Sequence, residues 1–262
     1  VRRAGMLHYV DAEGVVIEEA AKVVEVPGSK GAVEVVAEDG RRFKGSGLLI
    51  AVGRKANTER LNLDIAGIAT TRIGIKVDTS LRTTNRKVYA IGDVAGGMQF
   101  THVAGYHASV IIRSILFGLP STVKTEHIPW TTYTDPELAQ VGLTEHAARA
   151  KHGRALEVVR FDFAHNDRAV AERKTTGFIK LMVVKGRPVG ASIVGHQAGE
   201  LIGLWSLAIA NRMKMSQIAA MIAPYPSIGE INKRVAGAYF SPRLFDNPMV
   251  KRIVGLVQRH IP

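Results

Sequence analysis

The chain has 262 residues, 46% hydrophobic and 22% charged, which excludes a disordered tract and gives room for real cores. Its net charge of +12 comes from scattered basic residues, and with only 6% aromatics there is no aromatic–basic interleaving, so nucleic-acid binding is not expected. The absence of cysteine excludes disulfides, thiolate catalysis and cysteine-ligated metal within this sequence. No apolar run is long enough to span a bilayer, because Arg113, Glu200 and Asn211 interrupt or bound the longest ones.

In chain order, residues 1–12 read as the tail of a helix without a cap, and the chain is expected to start inside a domain. Short strands are expected at 15–17, 23–26, 33–37 and 48–52, separated by turn residues such as Pro27, Gly28, Asp39 and Gly40. The fourth runs into Gly53 and Arg54. Strand, glycine and cation in that order suit a phosphate or dinucleotide near a strand end, although a solvated loop is the plainer reading.

Residues 88–93 (Val-Tyr-Ala-Ile-Gly-Asp) form an apolar strand that ends on Gly92 and one carboxylate, Asp93. Nucleotide ligands of open α/β sheets lie at such carboxyl ends. Gly92 permits close backbone approach, and Asp93 can accept hydrogen bonds from sugar-like hydroxyls. Taken alone, a Gly-Asp pair is also ordinary turn chemistry. Residues 95–102 form a glycine-rich loop leading into a helix over 103–117, whose first turns carry Ala104, Gly105, Ala108 and Ser109. Small residues let a helix end sit close to a neighbour, and its free N–H groups favour an anionic or carbonyl-rich ligand. His102 is a contact or a polar cap.

A composition shift at 121–129 marks a boundary. Strands are expected at 140–143, 155–163, 178–185 and 188–195, with a hairpin turn at 186–188, then helices at 200–211 and 216–222 with Ser216 as N-cap. Strands followed by helices make an α+β layer. In the tail, Val250, Ile253, Val254 and Val257 recur at helical spacing, with Lys251, Arg252 and Arg259 elsewhere on the turn. The ordinary fate of such a helix is to pack on its own domain, and membrane contact is not expected.

Four stretches in this order carry a resemblance: 48–54 (Leu-Leu-Ile-Ala-Val-Gly-Arg), 88–93, 133–145 (Tyr-Thr-Asp-Pro-Glu-Leu-Ala-Gln-Val-Gly-Leu-Thr-Glu) and 177–181 (Gly-Phe-Ile-Lys-Leu). The chain resembles the flavin-dependent pyridine nucleotide-disulfide oxidoreductases, which include dihydrolipoamide dehydrogenase, glutathione reductase and mercuric reductase. The resemblance implies a fold of mixed α/β and α+β class: C-terminal parts of two nucleotide-binding domains and an α+β dimerisation domain. Residues 1–56 would end the NAD(P)H domain, 57–125 would return to the FAD domain, 126–240 would build a homodimer, and 241–262 would be a helical tail. It implies FAD and NAD(P)H as cofactors and cytoplasmic action. Asp93, with Gly92, would bind the FAD ribityl hydroxyls. Gln99, Phe100, Thr101 and His102 would lie against the flavin, and Gly53 and Arg54 would meet the nicotinamide nucleotide. The electron acceptor would be a disulfide, thiol or metal ion reached through cysteines upstream of this sequence, so the chain alone would be inactive. A different class of reading is an autonomous homodimerisation module.

One position departs from the family pattern. Disulfide reductases carry a His-Pro pair with a Glu five residues after the His; here Glu230 is in place, but the histidine is replaced by Tyr225. A phenol, with a pKa of about 10, accepts a proton poorly at neutral pH compared with imidazole. Mercuric reductases also carry tyrosine here, but their C-terminal cysteine pair is missing from this sequence. Tyr225 and Glu230 are the expected catalytic residues at the acceptor side. The plainer reading makes Tyr225 a packing residue whose hydroxyl is satisfied by Glu230 or backbone.

Overall fold

Hydrogen-bonding demand decides which apolar runs become strands here. In this computed structural model, which describes residues 14–260, the chain forms two compact units, one ending at Phe117 and one beginning at Gly118. The helix expected over 1–12 lies outside the described residues.

In the first unit, β3 (Ala32–Ala37) is the centre of a small antiparallel sheet. It pairs with β1 (Val23–Glu25), β2 (Gly28–Ser29) and β4 (Arg42–Gly45). The strands expected at 23–26 and 33–37 are therefore present, and β4, too polar to be expected, completes a hairpin with β3. The strands expected at 15–17 and 48–52 do not form. A near-continuous apolar run such as 48–52 becomes a strand only between neighbours that supply hydrogen bonds on both sides. Among the described residues none does so, and Leu49 and Val52 remain 89% and 94% exposed.

The same constraint alters 88–93. Instead of a strand there is one antiparallel bridge, Arg82 to Tyr89, followed by a 3-10 turn over Gly92–Ala95. The short hairpin β5 (Thr70–Thr71) and β6 (Gly74–Ile75) packs beside this turn, with Ile68, Ile75 and Ala90 as a local core. Then α1 (Thr101–Phe117) starts two residues earlier than expected.

The second unit is built on a five-stranded antiparallel sheet in the order β7-β8-β11-β10-β9. Its strands are β7 (Trp130–Thr132), β8 (Glu137–Gly142), β9 (Leu156–Asp162), β10 (Phe178–Val184) and β11 (Arg187–Gly195). Alternation along β10 sends Ile179, Leu181 and Val183 to one face and Met182 and Val184 to the other. The first face is covered by α4 (Ala198–Ala210) and α6 (Glu230–Ala238), the second by α2 (Glu145–His152). The α+β layering is as expected, but α2 falls between β8 and β9 in the chain rather than after the strands. The hairpin turn is Lys185 and Gly186, at φ 50° and 71°, the paired left-handed conformation that suits a two-residue turn. Ser216 is not the N-cap of its helix: α5 (Met215–Ala219) begins before it, and the Gln217 side chain accepts the Lys214 N–H at 2.8 Å. A short α3 (Asp167–Ala171) precedes β10, and α7 (Ser241–Phe245) and α8 (Pro248–His260) end the chain.

Trp205 of α4 is fully buried, and its indole N–H donates to Asn232 Oδ1 of α6 at 2.7 Å. Asn232 also donates to the Leu201 carbonyl at 3.3 Å, so one buried amide joins the two helices. Asn232→Leu leaves the indole donor orphaned and is expected to cost about 1–3 kcal/mol, read as a lower urea midpoint with an unchanged m-value.

Candidate functional site

The turn that presents Asp93 is fixed from beneath. Gly92 sits at φ 66°, and a Cβ there would come within 3.0 Å of the Ala104 side chain on α1. Glycine alone meets both the left-handed backbone and this approach without strain. Its N–H donates to His107 Nδ1 at 3.1 Å, and both residues are buried. Asp93 itself is exposed, and among the described residues nothing hydrogen-bonds its carboxylate. The Asp93 carbonyl accepts the Gly96 N–H at 3.1 Å, which closes the turn.

His107 was not singled out from the sequence. Its signal was a lone imidazole among small and apolar residues, one helical turn beyond Val103. Burial pushes the imidazole pKa below its ordinary value of 6.5, and the acceptor role at Nδ1 acts in the same sense.

Beyond the turn, the Phe100 carbonyl accepts the Val103 and Ala104 N–H groups at 3.0 and 3.2 Å, starting α1. The Phe100 and His102 rings stack at 5.3 Å. The first turn of α1 holds no acidic residue, so the positive end of the helix is not offset there. Arg54 joins this group: its Nη1 donates to the Gln99 carbonyl at 2.6 Å. Gly53, at φ 140°, makes the bend just before it. Gly53, Arg54 and Gln99 are thus brought together, and Asp93 and the 99–102 segment share α1 as support.

Tyr225 and Glu230 belong to the second unit. Tyr225 is 68% exposed, and its hydroxyl donates to Asp167 Oδ2 at 2.9 Å. The phenol is thus satisfied by neither Glu230 nor backbone. Glu230 opens α6 and accepts from Arg234 Nε at 2.9 Å, one turn along, because the side chains of a helix meet at that spacing. The Asp167 hydrogen bond, more than the charge of Glu230, holds the Tyr225 phenol above its ordinary pKa. A buried amide anchors the loop: Asn166 Nδ2 donates to the Ser227 carbonyl at 3.1 Å, and its Oδ1 accepts the Ala169 N–H at 2.9 Å. Asp167 and Asn166 escaped the sequence reading because they are far from Tyr225 along the chain.

The pyridine nucleotide-disulphide oxidoreductase model matches residues 3–108, and the dimerisation-domain model of the same group matches residues 128–236. The chain belongs to this family. A dihydrolipoyl dehydrogenase from Bacillus subtilis is 38% identical over 192 residues, 72% of this chain and 40% of that protein. A mercuric reductase from Lysinibacillus sphaericus is 36% identical over 186 residues, 70% of this chain and 34% of that protein. Among solved structures, LpdA from Mycobacterium tuberculosis superposes with a TM-score of 0.81 at 27% identity, covering 88% of this chain and 50% of LpdA. The Cu(II) complex of RclA, an HOCl-induced flavoprotein disulfide reductase from Escherichia coli, gives 0.80 at 29% identity, covering 88% and 53%. The expected fold class is thereby shown, in a family of enzymes that use FAD and NAD(P)H. The chain spans about 40% of the length of the curated relatives that it matches. No helix among the described residues is long and apolar enough to cross a membrane.

Folded His107 resists a proton that the unfolded chain accepts near 6.5, so the unfolded state binds more protons below that pH. Stability therefore falls as pH drops from about 6.5 toward the lower folded value. His107→Gln keeps an acceptor for Gly92 without titrating. The loss of Tm between about pH 7.5 and 5.5 is expected to be smaller in this variant than in the parent.

Proposed function

We propose that this chain is the C-terminal part of an FAD-dependent oxidoreductase that passes electrons from NAD(P)H to a disulfide, thiol or metal acceptor. The observation that carries the reading is the exposed, unpartnered Asp93 carboxylate on a turn fixed by Gly92 and His107. Such a carboxylate fits a polyhydroxyl chain: it has acceptor capacity free and little freedom to turn away. Bound FAD would accept hydride from NAD(P)H and pass the electron pair onward. On this reading residues 1–56 close the NAD(P)H domain and 57–125 belong with the FAD domain. Residues 126–240 form the homodimer interface, in keeping with the description of the matching domain.

The chain's own residues would do the following. Gly92 and Asp93 hold the ribityl hydroxyls. The 99–102 segment and the start of α1 place a positive helix end where negative charge grows. Gly53 and Arg54 border the nicotinamide nucleotide, with Arg54 steadied by the Gln99 carbonyl. Tyr225, held as a neutral phenol by Asp167, keeps its proton at neutral pH. It orients an acceptor through its oxygen lone pairs rather than removing a proton. That is a different task from that of an imidazole, and it favours a mercuric-reductase-like acceptor over the relay of disulfide reductases. On this reading the protein works where NAD(P)H is supplied, as in the cytoplasm.

A second reading, an autonomous dimerisation module, is favoured by one observation: the second unit has its own continuous core around Trp205. The two readings separate on colour. The complete gene product carrying this segment is expected to purify yellow with bound FAD, and a colourless homodimer would overturn the flavoprotein reading. Asp93→Ala removes hydrogen bonds to a charged group and is expected to weaken FAD retention by about tenfold or more, followed by flavin fluorescence on dilution. Tyr225→Phe, in the same complete protein, is expected to lower turnover at least about tenfold while leaving FAD bound. An unchanged rate would reduce Tyr225 to packing.

A further inference from the structure

The last helix is not used by the fold it follows. The dimerisation-domain match stops at residue 236, and α8 lies wholly beyond it. Val250, Ile253, Val254 and Val257 fall on one face at the spacing of a core-facing helix. Val250 is half-buried, but the rest of this face is left largely uncovered: Ile253 is 55% exposed, Val254 46% and Val257 45%. Leu244 and Phe245 of α7, just before it, are exposed as well. Apolar side chains exposed at this density along one helix face mark a place where something docks.

Charge decides what docks. From residue 247 to 260 the chain carries no Asp or Glu, while Lys251, Arg252 and Arg259 occupy the side of α8 away from the valines. Against a protein core these cations would face only solvent. A second copy would bring an equally basic helix on a chain whose own net charge is +12, which opposes the contact. A surface that is apolar below and anionic at its rim satisfies both faces at once. We propose that α8 docks this chain on an anionic phospholipid bilayer, lying in the interface plane with its valines toward the acyl boundary and its cations level with the phosphates. With Lys251, Arg252 and Arg259 along one side, the helix suits the bilayer surface rather than its hydrocarbon interior.

The test uses the whole chain and co-sedimentation with phosphatidylcholine vesicles, with and without phosphatidylglycerol. The chain is expected to pellet with the anionic vesicles, to stay in solution with the neutral ones, and to be released as salt is raised. The triple variant Lys251→Glu, Arg252→Glu and Arg259→Glu is expected to bind at least about a hundredfold more weakly. Ile253→Ser with Val257→Ser is expected to abolish pelleting while its thermal transition stays in place. Failure of the parent chain to pellet, or equal pelleting by the triple variant, would overturn the proposal. So would a serine variant that turns a dimer into a monomer in sedimentation velocity, which would make a second copy the occupant.

Discussion

A single buried bond governs what the first unit can present: the N–H of Gly92 closing onto His107 Nδ1. A left-handed backbone at Gly92 would cost little alone but would not by itself choose one direction for the next residue. The imidazole chooses it. The contact with Ala104 crowds any side chain placed here, and the bond to His107 occupies the amide. Asp93 therefore leaves the turn with a defined direction and an unoccupied carboxylate. The same helix that provides His107 begins at Thr101, so the acidic turn and the positive helix end are set by one rigid element.

The second unit solves a different problem, that of placing an exposed loop. Its sheet is covered by helices on both faces, and its buried polar groups are satisfied in pairs: Gln140 with Ser192, Trp205 with Asn232. Asn166 extends this practice to the surface by tying the start of α3 to the Ser227 carbonyl. Asp167, the next residue, then stands beside Tyr225. The phenol's partner is thus a consequence of where a buried amide found its own.

The sequence was most legible where a segment carries its own answer. The alternation of Ile179, Leu181 and Val183 announced a strand whatever its neighbours, and the small residues after His102 announced a helix held close to something. It was least legible where the answer lies in another segment. The run 48–52 has the composition of a central strand, yet a strand is a property of at least two segments, and the described residues hold only one. The strand expected to end at Asp93 became a bridge and a turn for the same reason. Partners of the site were hidden by distance along the chain: Asp167 and Tyr225 are 58 residues apart, and nothing local in either marks the other. The tail misled differently. Its periodicity gave the helix correctly, but the pattern alone does not say what lies opposite.

The unsupported stretch from Leu48 to Val52 has a practical side. Five apolar residues whose backbone groups find no strand partner among the described residues are a ready template for intermolecular strand addition. Concentrated solutions of the chain by itself would therefore be prone to cloudiness, starting at this edge rather than in the well-packed sheet of the second unit. A polypeptide supplying parallel strands on either flank would act as a solubiliser, by occupying the hydrogen bonds that otherwise recruit a neighbour.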